Sequence, residues 1–263
     1  MSDPTPSQAV QQIVDHDDQS RVRARHTMVA GVLDGPSELL NPETGKPVAR
    51  QAFVAGRIEG ECLNYDADGR IVQRSQFKNG VADGETLIYD DTGALAQRMS
   101  FKAGELDGEL VAYAGPLVRT RITYRDGVQN GPCQFYDEAG TLSGEVNYVG
   151  GKLNGPAVFY GPMGNPVRRC FYVNDQLEGE LTDYHDNGKL REQAAYRANK
   201  LMGERKRYYP SGALMEVAHF KDGKPAGEVV LYDEDGNVLE MTDEGKVERP
   251  GLIKRLTAKL GGS

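Results

Sequence analysis

The sequence predicts an all-β protein: an elongated single-layer antiparallel meander of about nine 24-residue β-hairpin repeats, with a short capping helix at each end. Three observations carry this expectation. An aromatic residue recurs at Phe53, Phe77, Phe101, Tyr124, Tyr148, Tyr172, Tyr196 and Phe220, with Met28 in the same slot one unit earlier. The step is 24 residues, except 25 at the first interval and 23 at the fourth. Three glycine slots keep step with the aromatics, and two strand-length runs lie between the glycines of each unit. A fixed period of this length is the mark of a repeat architecture, in which each unit buries its apolar surface only against its neighbours.

Phe77 to Ser100 is the most regular copy. Its first glycine slot, Gly80, is filled by Asp175 and Asn199 in two other units. Gly, Asn and Asp are the residues that tolerate positive φ, so a left-handed turn is expected there. The second slot is glycine in all nine units, from Gly35 to Gly227. That constancy predicts a position where a Cβ would also clash. The third slot follows polar tetrads such as Asp90-Asp91-Thr92-Gly93 and reads as a hairpin loop closed by a left-handed glycine.

The two runs are Gly84 to Tyr89 and Leu95 to Phe101. Leu95, Met99 and Phe101 share one parity, with Ala96, Arg98 and Ser100 on the other, the pattern of a half-buried strand. About 17 strands are expected. Pro36, Pro132 and Pro156 follow the second glycine, which places that position at a strand start or bulge because proline cannot donate to a ladder. The two irregular steps come from a longer turn after Leu40 and a shorter one at Ala114 to Leu117, both in a loop, where length changes are tolerated.

The ends stand outside the repeat, which is taken as residues 28–245. Within residues 1–27 a short helix is expected, capped by Thr5 or Ser7, carrying Val10, Ile13 and Val14 on one side and covering the first edge strand. Residues 246–263 are expected to form a basic amphipathic helix with Leu252, Ile253, Leu256 and Leu260 on one face. That helix could cap the last strand, dock a partner or touch a membrane surface.

Composition narrows the function classes. The 263 residues carry a formal charge of -8, which disfavours nucleic-acid binding, and neither a signal peptide nor a membrane-spanning run is read, so the cytoplasm is the expected compartment. Cys62 and Cys133 occupy one slot three units apart, about 30 Å at roughly 10 Å per hairpin. That is far beyond disulfide reach, and reduced thiols are expected at both and at Cys170.

No nucleophile elbow, zinc-protease helix, phosphate loop or Cys-x-x-Cys pair is present, and no catalytic, cofactor or metal site is expected. The carboxylates at Asp66-Ala67-Asp68-Gly69 and Asp233-Glu234-Asp235-Gly236 are explained by turn chemistry, since a calcium loop needs further oxygen ligands.

The candidate sites are for a protein partner. Glu204-Arg205-Lys206-Arg207-Tyr208 puts three successive cations where other units are mostly apolar or small, with Arg205 and Arg207 on one face and Lys206 on the other. The alternative reading of these cations is a solvated strand with ion pairs from unit to unit, made to acidic turns. Tyr160, Tyr184 and Tyr208 belong to a tyrosine column that either packs the sheet or offers an aromatic surface. Lys254 and Arg255 are the tail-helix candidates.

The recurring residues, [FY]xxGxxxGExxxYxxxGxL, resemble the MORN-repeat variant of bacterial YwqK-type antitoxin and immunity proteins over roughly residues 28–245. That resemblance implies a non-enzymatic protein-interaction scaffold whose partner is a toxic effector, including effectors of contact-dependent secretion systems. An acidic inhibitor would suit a basic toxin. The alternative is a peripheral membrane scaffold that uses the basic tail helix.

Overall fold

The computed structural model describes residues 9–242, and it divides into two compact units, residues 1–153 and 154–263. The described residues contain strands and turns and no helix.

The first unit holds β1 (Val10–His16), β2 (Val22–Val29), β3 (Val32–Leu40), β4 (Pro47–Val54), β5 (Arg57–Ile58), β6 (Gly60–Tyr65), β7 (Ile71–Lys78), β8 (Val81–Tyr89), β9 (Leu95–Lys102), β10 (Glu105–Ala114), β11 (Leu117–Arg125), β12 (Val128–Tyr136), β13 (Leu142–Val149) and β14 (Lys152–Leu153). The second holds β15 (Gly155–Tyr160), β16 (Pro166–Val173), β17 (Gln176–Leu177), β18 (Gly179–Tyr184), β19 (Leu190–Arg197), β20 (Lys200–Tyr208), β21 (Leu214–Lys221), β22 (Lys224–Tyr232) and β23 (Val238–Thr242). Within each unit successive strands pair antiparallel, except that the two-residue pieces β5 and β17 pair with the strand before them while β4 pairs on to β6 and β16 to β18. The all-β meander holds.

The N-terminal helix does not form. Val10 to Val29 is a hairpin, with Ile13 opposite His26 and Val14 opposite Arg25. Its turn is the repeat turn in disguise. The Asp17 amide donates to the Arg21 carbonyl, and Ser20 takes φ +64° where later units use glycine. Asp17 Oδ1 also accepts the Gln19 and Arg21 amides. These local bonds, together with the β-branched Val10, Ile13 and Val14, favour a strand over a helix turn. The repeat therefore begins before Met28. The strand count exceeds 17 because β1 and β2 are added and because β5, β14 and β17 are two-residue pieces. The C-terminal helix expected over 246–263 lies outside the described residues.

The first glycine slot is one half of a two-residue turn. Lys78 pairs with Val81, and both Asn79 (φ +52°) and Gly80 (φ +85°) are left-handed, which makes a type I′ hairpin whose twist matches the strands. Alanine fills the other half at Ala30, Ala55, Ala103 and Ala198, at φ +48° to +52°. Each is strained by its Cβ. Ala103→Asn, which restores Asn-Gly, is expected to raise stability by about 1 kcal/mol in a urea melt. These turns are stapled to the preceding hairpin: the Gly104 amide donates to the Ala82 carbonyl, and the Ala103 amide to Asp83 Oδ2.

The second slot sits in a bulge. Ser75 pairs with Thr86 and Phe77 with Ala82, so Gln76 faces three residues, Asp83 to Glu85. The bulge recurs at Gly35, Gly108, Gly131 and Gly227. Pro36 and Pro132 fall inside it, as their missing donors require. The expected clash is real at Gly84 but absent at Gly60, Gly179 and Gly203, where a Cβ would meet open space. Those three keep glycine for positive φ alone, at +74° to +81°.

The core is thin. Directly paired residues share a sheet face, and the chain of partners Cys62, Ser75, Thr86, Met99, Leu110, Ile122, Cys133 and Val146 traces one row across the first unit. Most of its members are small and several are buried. In the second unit, Ala157 pairs with Cys170 and Leu181 with Ala194 in the same slots. Val111, on the opposite face, has no exposed surface.

All three cysteines are free and buried, and burial pushes their thiols up from the ordinary value. Ellman's reagent is expected to label none of them in the native protein and all three in 6 M guanidinium chloride.

Candidate functional site

Two slots beside the small row separate the units. The slot four residues after the second glycine reads Leu39, Asn64, Ile88, Ala112, Phe135 and Phe159, then Asp183 and Arg207, then Leu231. The slot four before the aromatic is uncharged from Ala24 to Gly144, then reads Arg168, Glu192 and Glu216. Register places these residues side by side. Arg168 pairs with Asp183, Asp183 with Glu192, Glu192 with Arg207 and Arg207 with Glu216. The first unit joins its strands at these positions with Ala49, Asn64, Gln73, Ile88, Gln97 and Ala112.

Asp183 is the centre of the charged row, at 4% exposure. Arg168 meets it bidentately, Nε to Oδ1 at 2.7 Å and Nη2 to Oδ2 at 2.9 Å. Arg191 adds Nη2 to Oδ2 at 2.9 Å. Burial pushes the carboxyl pKa up, but the hydrogen bonds from Arg168 and then Arg191 outweigh it and hold the group below the usual carboxylate range. The same bonds raise the Arg168 pKa. Tyr172 and Tyr196 border this cluster, and burial raises both phenol pKa values.

Arg205 and Arg207 extend the face. Arg205 occupies the small row between Ala194 and Ala218, where it pairs with Glu216 and lies 4.9 Å over the Phe220 ring. Its Nε is buried without a hydrogen-bond partner. Arg207 Nη1 is 3.4 Å from Glu216, and its Nε is 3.8 Å from Glu192. The alternation expected for the three cations holds: Lys206 is on the other face, opposite Gln193 and Val217, and meets Glu204 at 2.8 Å. The segment Arg205 to Tyr208 is therefore not one patch, and its charges are already paired with glutamates on strands, not with acidic turns.

The tyrosines go with Lys206. Tyr184 lines a shallow depression with Arg169, Glu180 and Thr182, and Tyr208 neighbours Lys206. Tyr160, Tyr184 and Tyr208 are all half-buried, consistent with packing and with partial display. In the first unit the same face carries Arg25, Arg50, Arg74, Arg98 and Arg121, paired with Glu38, Glu61, Glu85 and Glu109. Arg50 lies 5.6 Å over the Tyr65 ring. Lys254 and Arg255 lie outside the described residues.

Sequence reasoning missed Arg168, Asp183, Arg191, Glu192 and Glu216. For all but Arg191 the available signal was slot chemistry: each of the two slots is uncharged in most units and charged only in the second compact unit.

His185 and the aspartates that open the two Asp-rich turns are occupied locally. His185 Nε2 lies 2.9 Å from the Tyr208 carbonyl. Asp66 Oδ1 accepts the Asp68 and Arg70 amides, and its Oδ2 pairs with Arg70 Nε at 2.9 Å. Asp233 is engaged likewise by Asp235 and Asn237. Among the described residues, no group of three or more His, Cys, Asp and Glu could hold a metal ion.

Four stretches, residues 58–79, 129–149, 177–198 and 203–222, match the family described as the MORN repeat variant. MORN-type repeats are thus present in both units. No curated protein matches the chain. Solved structures with similarity include the crystal structure of TcdB2-TccC3, at 12% identity and TM-score 0.21 over 85% of this chain and 14% of that one. The complex TcdB2-TccC3-Cdc42 matches at 11% identity and TM-score 0.20, over 85% of this chain and 14% of that one. The Tc holotoxin pore of Photorhabdus luminescens matches at 12% and 0.20, over 84% and 14%. The chain spans about one seventh of the length of these proteins, and at such TM-scores the likeness carries no argument.

Proposed function

We propose that this chain is a non-enzymatic repeat scaffold that binds another protein, and that it acts in the cytoplasm as an immunity protein or antitoxin against a toxic effector. The repeat-variant matches support the scaffold reading. The observation that carries partner binding is the charged face of the second unit. Four arginines and three carboxylates, with Tyr172 and Tyr196 beside them, stand at slots that other copies leave mostly uncharged. Arginine and tyrosine are the residues that most often anchor protein interfaces. The effector reading rests on the sequence resemblance.

The test is co-expression in the native host with toxic proteins encoded beside this chain. A stoichiometric complex and restored growth are expected. A host pull-down that recovers no stable partner, together with no rescue from any neighbouring toxin, would sink the reading.

A further inference from the structure

We propose that Arg168 and Arg191 form a clamp that receives a carboxylate from an acidic segment of a protein partner. The inference rests on the protein-binding reading above and gives that site its ligand chemistry.

Three observations carry it. First, the fold does not need these charges. The register positions of Arg168 and Asp183 hold Gln73 and Ile88, or Gln97 and Ala112, in other copies with the same strand pairing. A buried ion pair is seldom more stabilising than apolar groups of similar size.

Second, Asp183 fixes two guanidinium groups without covering them. Arg168 gives Nε and Nη2 and Arg191 gives Nη2, while their side chains stay 46% and 53% exposed. A guanidinium has five N–H donors, so donors remain on both groups. Their positions are set before any ligand arrives, which lowers the ordering cost of binding. A planar carboxylate matches the fork geometry.

Third, the charge is of the right sign in the right place. Over β16 to β21, Arg168, Arg191, Arg205 and Arg207 against Asp183, Glu192 and Glu216 leave this face at +1, on a chain of formal charge -8. An acidic segment is repelled by most of this protein and attracted here.

The test is an NMR titration of the full ¹⁵N-labelled chain with a hexaglutamate peptide at low salt, following the arginine Nε–H signals. Those of Arg168 and Arg191 are expected to shift on one saturating curve, with Arg74 and Arg98 unmoved as internal controls. Arg168→Gln/Asp183→Asn/Arg191→Gln removes the clamp and the buried charge together. It is expected to weaken binding at least tenfold, with the fold checked by circular dichroism. Should that variant unfold, Arg168→Lys/Arg191→Lys keeps the charges, loses the fork and is expected to weaken binding several-fold.

The proposal is overturned by an absence of shifts, by equal shifts at Arg74 and Arg98, or by undiminished binding in either folded variant. Inorganic phosphate is the second probe. If it moves the same signals and hexaglutamate does not, the carboxylate assignment fails. Clamp binding without a recoverable host partner would count against the proposed function alone, and a host complex without clamp binding against this inference alone.

Discussion

Gly84→Ala is expected to destabilise the protein by about 2–6 kcal/mol, combining roughly 1–3 for backbone strain and 1–3 for overpacking. The added Cβ would stand 2.9 Å from Gln76 Cβ and 3.4 Å from Gln76 Cγ, at φ +118°. The contact is to a Cβ, so rotating the glutamine cannot relieve it. The bulge prevents a simple backbone shift, because Gln76 is already opposed by three residues. Gly60→Ala is the control. It has the same slot and positive φ but meets nothing within 4 Å, so only about 1–2 kcal/mol of left-handed strain is expected. Urea denaturation of both variants checks the difference. Adding Gln76→Gly to Gly84→Ala should recover the packing part and leave the strain. Equal losses at Gly84 and Gly60 would remove close packing as the reason for the glycine.

Arg168→Met is expected to cost about 1–3 kcal/mol at neutral pH. Removing one partner of a fully buried pair costs roughly 3–5 kcal/mol. Arg168 is 46% exposed, and Arg191 still holds Asp183, so the lower range applies. Asp183→Asn should make the same region less sensitive to acid. The folded-state pKa of Asp183 lies below its unfolded value, so the ionised carboxylate stabilises the fold above the unfolded value of about 3.9. That contribution is lost as pH falls through the folded value. The stability gap between wild type and Asp183→Asn is therefore expected to shrink below about pH 4. Thermal melts from pH 7 to pH 3 measure it, and a constant gap would mean that Asp183 does not titrate with unfolding.

How much of this could be read in advance differs by feature. The repeat, the turn glycines, the longer turn at Asn41 to Lys46 and the shorter one at Ala114 to Leu117 were all legible, because backbone requirements write themselves into residue type. The first hairpin was not. Ser20 replaces the turn glycine and His16 the mid-unit tyrosine, so the local signal fell below the flanking apolar pattern. The positive φ at Ala103 and Ala198 was hidden too, since alanine advertises no left-handed preference.

The candidate site was legible only at its edge. Arg205 and Arg207 announced themselves as successive cations, but Asp183 and Arg168 belong to different strands and meet only when β16 and β18 pair. Alternation along the strand had already separated Lys206 from Arg205 and Arg207, and the register places Lys206 opposite Gln193 and Val217.

The sequence by itself determined the repeat, its strand and turn alternation and its thin core, because each is a consequence of local backbone geometry repeated every 24 residues. Only the tertiary structure decided which charges meet. Ion pairing and burial depend on cross-strand register, which is set at the second glycine: three residues oppose one at Gly84, Gly108 and Gly131, and Gly203 and Glu204 stand unopposed by β19 beside Arg205.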